Sequence, residues 1–189
     1  MKQFFIFLLA LTMIIGCSKN NLEGISENSV YHLNSDWENQ DGKIMKLADL
    51  KGKVVVMVMI YTSCKTACPQ LTADMRRITF EVGDVDPNDI RYVLVSIDPK
   101  KDTPEKMKEY LGNNKFDGEE WLFLRSSEDD TRELANVLAV KYKEISPIDF
   151  SHSNIISVFN KSGELDFQKE GTGLDINGTV DAINKNLHI

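Results

Sequence analysis

Two cysteines four apart, in Tyr61-Thr62-Ser63-Cys64-Lys65-Thr66-Ala67-Cys68-Pro69, are the residues best equipped for chemistry. Two thiols this close can form an oxidisable dithiol or offer a soft metal ion two sulfur ligands, and copper(I) prefers such ligands. They follow the apolar run Val54–Ile60 and precede a stretch with helical periodicity. If both are helical, the spacing puts them on one face with Cα atoms roughly 6 Å apart. That lies within the roughly 4.4–6.8 Å a disulfide accepts. Pro69 disfavours helical geometry at Cys68, so an irregular turn is the alternative. A helix N-terminus and the charge of Lys65 both favour thiolate over thiol. A purely structural disulfide here would close only a three-residue loop and stabilise little. The spacing therefore argues for chemistry over stapling.

The surrounding pattern says what must hold these thiols. Gln40-Asp41-Gly42-Lys43 is a hairpin turn signal between short strands. The continuous apolar run ending at Tyr61 suits a central strand covered on both faces. Leu71, Met75, Ile78 and Val82 then mark one face of a helix. Residues 90–97 form a second central strand. Thr103 as N-cap and Pro104 at the first helical position open the next helix. Residues 121–124 are a strand, 128–140 a helix, 154–159 and 164–168 two strands joined by Asn160-Lys161-Ser162-Gly163, and Ile176 to Leu187 a final helix. Alternating strands and helices imply an α/β fold: a central mixed sheet with helices on both faces and an N-terminal hairpin. Ending on an antiparallel hairpin and a helix is the thioredoxin-like arrangement. In such a sheet the loop after the first central strand lies at the carboxyl ends of the strands, a natural place for a site.

A metal site usually needs a third ligand, and the chain has three histidines. His188 adjoins the C-terminus and reads as solvated. His32 reads as a surface or edge histidine in an early strand. His152 stands just before the strand at 154–159, where the entering loop of a thioredoxin-like sheet packs against the dithiol loop. Met57 and Met59 do not extend the ligand set, because alternation in an apolar strand buries both as core.

The N-terminus reads as an export signal. Lys2 precedes an apolar stretch, Phe4 to Ile15, too short to span a membrane comfortably. Gly16-Cys17 resembles a lipobox, which implies cleavage before Cys17 and lipidation of its thiol, hence an anchor rather than a span. The expected organisation is a signal peptide over residues 1–16, a polar tether over 17–28, and one domain over 29–189. An exported protein can carry disulfides. The 189 residues carry a formal net charge of −7 with no basic run, which excludes nucleic acid as a partner.

Taken together, Tyr61-Thr-x-Cys64-x-x-x-Cys68-Pro69, Val95-Ser96-Ile97-Asp98-Pro99-x-x-Asp102-Thr103-Pro104, and His152 before a strand ending in a Lys-Ser-Gly-Glu turn resemble the Sco/SenC family, from about Asn34 to the C-terminus. The resemblance implies a membrane-tethered, thioredoxin-fold copper protein facing the periplasm or extracytoplasmic space. Such proteins help assemble the dinuclear copper centre of cytochrome c oxidase, so its copper-bearing subunit is the implied partner. Cys64 and Cys68 match the family's two thiolate ligands, for Cu(I) or Cu(II), and His152 its imidazole ligand. Many relatives have proline after the first cysteine where this chain has Lys65. Asp98 ends a strand beside the expected site, either to orient a ligand or as a turn aspartate, while Asp102 and Thr103 read as helix initiation.

Two functions follow. One is a metallochaperone that exchanges copper with a target site. The other is an extracytoplasmic thiol-disulfide reductase in which Cys64 attacks and Cys68 resolves, acting on cysteines of a copper-site target. The three-residue gap departs from Cys-x-x-Cys oxidoreductases. A peroxiredoxin reading fails, since Met57 and Tyr61 stand where that family has proline and Thr or Ser.

Overall fold

A computed structural model describes residues 25–64, 67–146, 149–171 and 175–188. Seven strands form one mixed sheet. β3 (Val54–Ile60), β4 (Ile90–Ser96) and β5 (Trp121–Arg125) run parallel at its centre. The N-terminal hairpin, β1 (Trp37–Asn39) and β2 (Ile44–Met45), joins antiparallel to β5. On the other side β8 (Ile155–Phe159) pairs antiparallel with β3, and β9 (Leu165–Glu170) with β8. This is the mixed sheet that the element order predicts.

Every residue of β3 is buried. Seven consecutive buried positions require cover on both faces, and the unbroken apolar run supplies it with side chains that belong there. α1 (Ala67–Val82), α2 (Pro104–Asn113) and α4 (Ile176–Leu187) share one face. The Thr72 and Tyr110 hydroxyls join α1 to α2 at 2.6 Å, and α1 also packs on α4. α3 (Glu128–Val137) lies in the connection that returns from β5 to β8, with Thr131, Leu134 and Ala135 buried.

Three expectations are corrected. α3 stops at Val137 instead of reaching residue 140, because Ala139 turns left-handed (φ 55°) and the Val140 amide bonds back to the Ala135 carbonyl. No glycine advertises this stop. His32 ends a 3-10 turn (Val30–His32), with Nε2 2.8 Å from the Ser26 carbonyl, instead of sitting in a strand. The loop expected to enter the strand at 154–159 with His152 instead contains a separate two-stranded ribbon, β6 (Tyr142–Ser146) and β7 (Asp149–His152).

The described chain enters at the end of β3 far from the cysteines. Ser29 bridges Glu164, the Val30 amide bonds the Gly163 carbonyl, and the Gly52 amide bonds the Lys161 carbonyl just before β3 begins. Gly163 is required there. A Cβ on it would come within 2.5 Å of Ser29 Oγ and 2.6 Å of the Tyr31 ring, and its φ is +78°. Cys17, its signal segment, and most of the tether lie outside the described residues, as does Lys65. No described helix is long and apolar enough to cross a membrane.

Candidate metal centre

The two cysteines are placed by the junction of β3 and α1. Tyr61 directly follows the buried strand, and the Cys64 amide closes a turn onto the Tyr61 carbonyl at 3.2 Å. Cys64 therefore precedes the helix, while Cys68 lies in its first turn. Pro69 also falls within that first turn, where a missing amide hydrogen costs no helical bond. Cys64 Sγ accepts the Cys68 amide at 3.3 Å, so the sulfur satisfies a free N–H of the helix start. The two cysteines form no disulfide with each other, and both are buried.

The imidazole comes from the ribbon. His152 ends β7, paired in register with Tyr142 of β6. Its Nδ1 lies 3.1 Å from the Ser153 carbonyl, which can only accept. That bond puts the proton on Nδ1 and leaves the Nε2 lone pair free. Nε2 points at Cys68 Sγ, 3.4 Å away and 84 residues distant in sequence. One ligand atom from each of Cys64, Cys68 and His152 lies within 4.8 Å of the others. Metal–ligand bonds of about 2.0–2.3 Å hold such atoms roughly 3.5–4 Å apart, so a small contraction would close them on one ion.

Tyr61 couples the two halves. Its ring meets the edges of Phe150 (centroids 5.2 Å) and His152 (5.9 Å). The Phe150 amide donates to the Tyr61 hydroxyl at 3.2 Å. Tyr61 lies inside the quoted motif but gave no chemical signal by residue type. Phe150 was legible only as an apolar residue in a loop.

Burial reverses the expected acidity of Cys68. Desolvation is the largest influence and pushes its thiol pKa well up; the hydrogen bond with Cys64 pushes the same way. The helix N-terminus does not overcome this. Any metal that binds here must displace the Cys68 proton.

Asp98 is buried, but its carboxylate pairs with Lys101 Nζ at 2.9 Å and its amide donates to Ser96 Oγ at 3.0 Å. It does not join the Cys64–Cys68–His152 group. The carboxylate that grips the dithiol turn is Asp102. It accepts the Thr62 amide at 3.2 Å, the Thr62 hydroxyl at 2.5 Å and the Ser96 hydroxyl at 2.6 Å, and it has no exposed surface. A sequence signal existed. Thr103 already caps α2, bonding the Lys106 amide, which leaves the neighbouring Asp102 without a capping task.

The family model for SCO1/SenC matches residues 27–183. The chain belongs to the SCO1/SenC family. The SCO1 protein homolog of Bacillus subtilis (strain 168) is 35% identical over 88 residues, 47% of this chain and 45% of that protein. Matches to the curated relatives all span less than two thirds of those proteins' lengths. Among solved structures, copper-bound ScoI of Arabidopsis thaliana superposes with a TM-score of 0.70 at 19% identity, covering 82% of this chain and 96% of that one. BsSco, described as having a disulfide switch and as one of the Sco family of cytochrome c oxidase assembly proteins, superposes with a TM-score of 0.69 at 25% identity, covering 82% and 91%. These family likenesses agree with the thioredoxin-like reading of the fold.

Proposed function

We propose that Cys64, Cys68 and His152 bind one copper ion, and that the protein is a copper carrier for assembly of the dinuclear copper centre of cytochrome c oxidase. The observation that carries this reading is the lone pair of His152 Nε2 directed at the Cys68 thiol with Cys64 beside it, all three donors within 4.8 Å. Two sulfurs suit Cu(I), and the added imidazole suits Cu(II). No fourth ligand joins the group among the described residues, which leaves a position for an incoming ligand during transfer. Copper and cytochrome c oxidase assembly both appear among the solved relatives, and family membership supports carrying them to this chain.

The same thiols support the second reading, reduction of a target disulfide before metallation. The adjacent sulfurs, not joined in a disulfide, favour it. The imidazole separates the two, since thiol–disulfide exchange has no use for a third metal donor.

The organisation completes the proposal. Residues 1–16 are a signal peptide, lipidated Cys17 anchors the protein extracytoplasmically, and residues 17–28 tether the domain at 29–189. The tether meets the domain at one end of β3 and the dithiol turn lies at the other, roughly 23 Å away. The site would thus face away from the anchoring surface.

Titration of the reduced protein with Cu(II) tests the reading. One equivalent should bind and produce an intense thiolate-to-copper charge-transfer band. Absence of that band, with the dithiol intact, would leave the reductase reading alone.

A further inference from the structure

Asp102 is a buried carboxylate that copper ligation does not use. All three of its donors, the Thr62 amide, the Thr62 hydroxyl and the Ser96 hydroxyl, are uncharged. Lys101, its neighbour in the chain, is engaged with Asp98. Ser96 Oγ is itself held, since it accepts the Asp98 amide. A backbone amide can only donate, so the convergence of donors is the arrangement of an ionised carboxylate. Burial raises its pKa, and the bonds from Ser96 and Thr62 oppose that rise. The carboxylate also lies close enough to the sulfurs for its charge to act on Cys68.

That charge has a direction. Two thiolates and a neutral imidazole around Cu(II) sum to zero. Around Cu(I) they sum to −1. A fixed negative charge in a low-dielectric interior opposes the anionic state and leaves the neutral one nearly untouched. Thr62 is two residues from Cys64, so the hydrogen bonds that satisfy Asp102 also fix the root of the dithiol turn.

We infer that Asp102 is a positioning residue that anchors the dithiol turn through Thr62 and biases the copper site toward Cu(II) over Cu(I). The inference rests on the copper reading above. The reaction it biases is the gain of one electron by Cu(II) from an external one-electron donor, with no bond to carbon or sulfur made or broken.

The test is a redox titration of the copper-loaded protein against a ferrocyanide-type mediator, comparing wild type, Asp102→Asn and Thr62→Val. Asp102→Asn keeps the shape and removes the charge. It should shift the Cu(II)/Cu(I) equilibrium toward Cu(I) at least tenfold, about 60 mV for one electron. Thr62→Val removes one donor from a half-buried side chain but keeps the charge, so the equilibrium should not move toward Cu(I) while the dithiol turn loosens. Without copper, amide hydrogen exchange at Thr62 should quicken in Asp102→Asn, which reports the anchoring part. A folded Asp102→Asn protein with the wild-type equilibrium would overturn the inference while leaving the copper reading intact. Should Asp102→Asn fail to fold, a Thr62→Val protein that moved to Cu(I) with the Asp102 charge intact, or whose amide at position 62 exchanged no faster than in wild type, would overturn it. A wild-type protein that takes up no copper would overturn both.

Discussion

Cys64 and Cys68 hang from the best-buried strand of the protein, whereas His152 hangs from a ribbon whose outer strand faces water. β3 is paired on both sides, parallel to β4 and antiparallel to β8, and no residue in it is exposed. β6 and β7 pair only with each other, and three of the five residues in β6 are exposed. The rigid half is set by the cooperative core, so moving it means disturbing the whole sheet. The ribbon half is held to that core by side chains alone, through Tyr61, the half-buried Tyr142 and Phe150, and the Arg132 and Lys101 cations over those two rings, so it can open without breaking the main sheet. The difference suits a carrier: two ligands that stay and one that can leave.

The largest test of that division compares ligand removals. Cys68→Ser should abolish tight binding of both copper states, because it deletes a donor the core has fixed. His152→Ala should weaken Cu(II) by about 100-fold or more and shift its thiolate charge-transfer band, yet leave Cu(I) bound to the two sulfurs. Competition titrations with chelators for each oxidation state measure this. Equal loss of Cu(I) and Cu(II) in His152→Ala would put the imidazole on the same footing as the thiols and end the comparison.

The same division marks what the sequence could say. The β3–α1 junction was legible because its signals are local: an unbroken apolar run, a helical stripe from Leu71 to Val82, and two cysteines at a fixed spacing. His152 was legible as a ligand only through the fold, since the contact with Cys68 spans 84 residues. The ribbon that carries it was not legible. Tyr142 to Ser146 has polar and apolar residues without a buried face, and its stability comes from pairing with β7 and from Tyr61, neither of which leaves a local pattern. Cys68 acidity was misread for a related reason. Helix position is visible in sequence, but the depth of burial that outweighs it is a tertiary fact.

A smaller effect concerns protons on the fixed half. Burial raises the Cys68 pKa, so this thiol enters the reaction protonated and must release its proton to bind metal. Raising pH removes the competing proton, so copper affinity should rise with pH between 7 and 9, by about tenfold per unit for each proton expelled. Because the dependence belongs to the thiol, His152→Ala should keep the same slope while binding more weakly. Isothermal titration in buffers of different ionisation enthalpy counts the protons directly. A slope that vanished with His152 would move the coupling from the core half to the ribbon.

The smallest expected effect probes the joint itself. Tyr61→Phe keeps the ring against Phe150 and His152 but removes the hydroxyl that accepts the Phe150 amide at 3.2 Å. The same hydroxyl donates to the Phe150 carbonyl at the longer distance of 3.5 Å. A neutral hydrogen bond contributes about 1 kcal/mol, so Cu(II) affinity should fall at least roughly fivefold and Cu(I) affinity should stay unchanged. The loss should appear mainly as faster Cu(II) release, because the ribbon then opens more often, and hydrogen exchange at the Phe150 amide should quicken in step. The sulfurs provide the internal control: they sit on the core side of the joint, so a Tyr61→Phe change that weakened both copper states alike would show that Tyr61 supports the dithiol turn rather than the hinge of the imidazole.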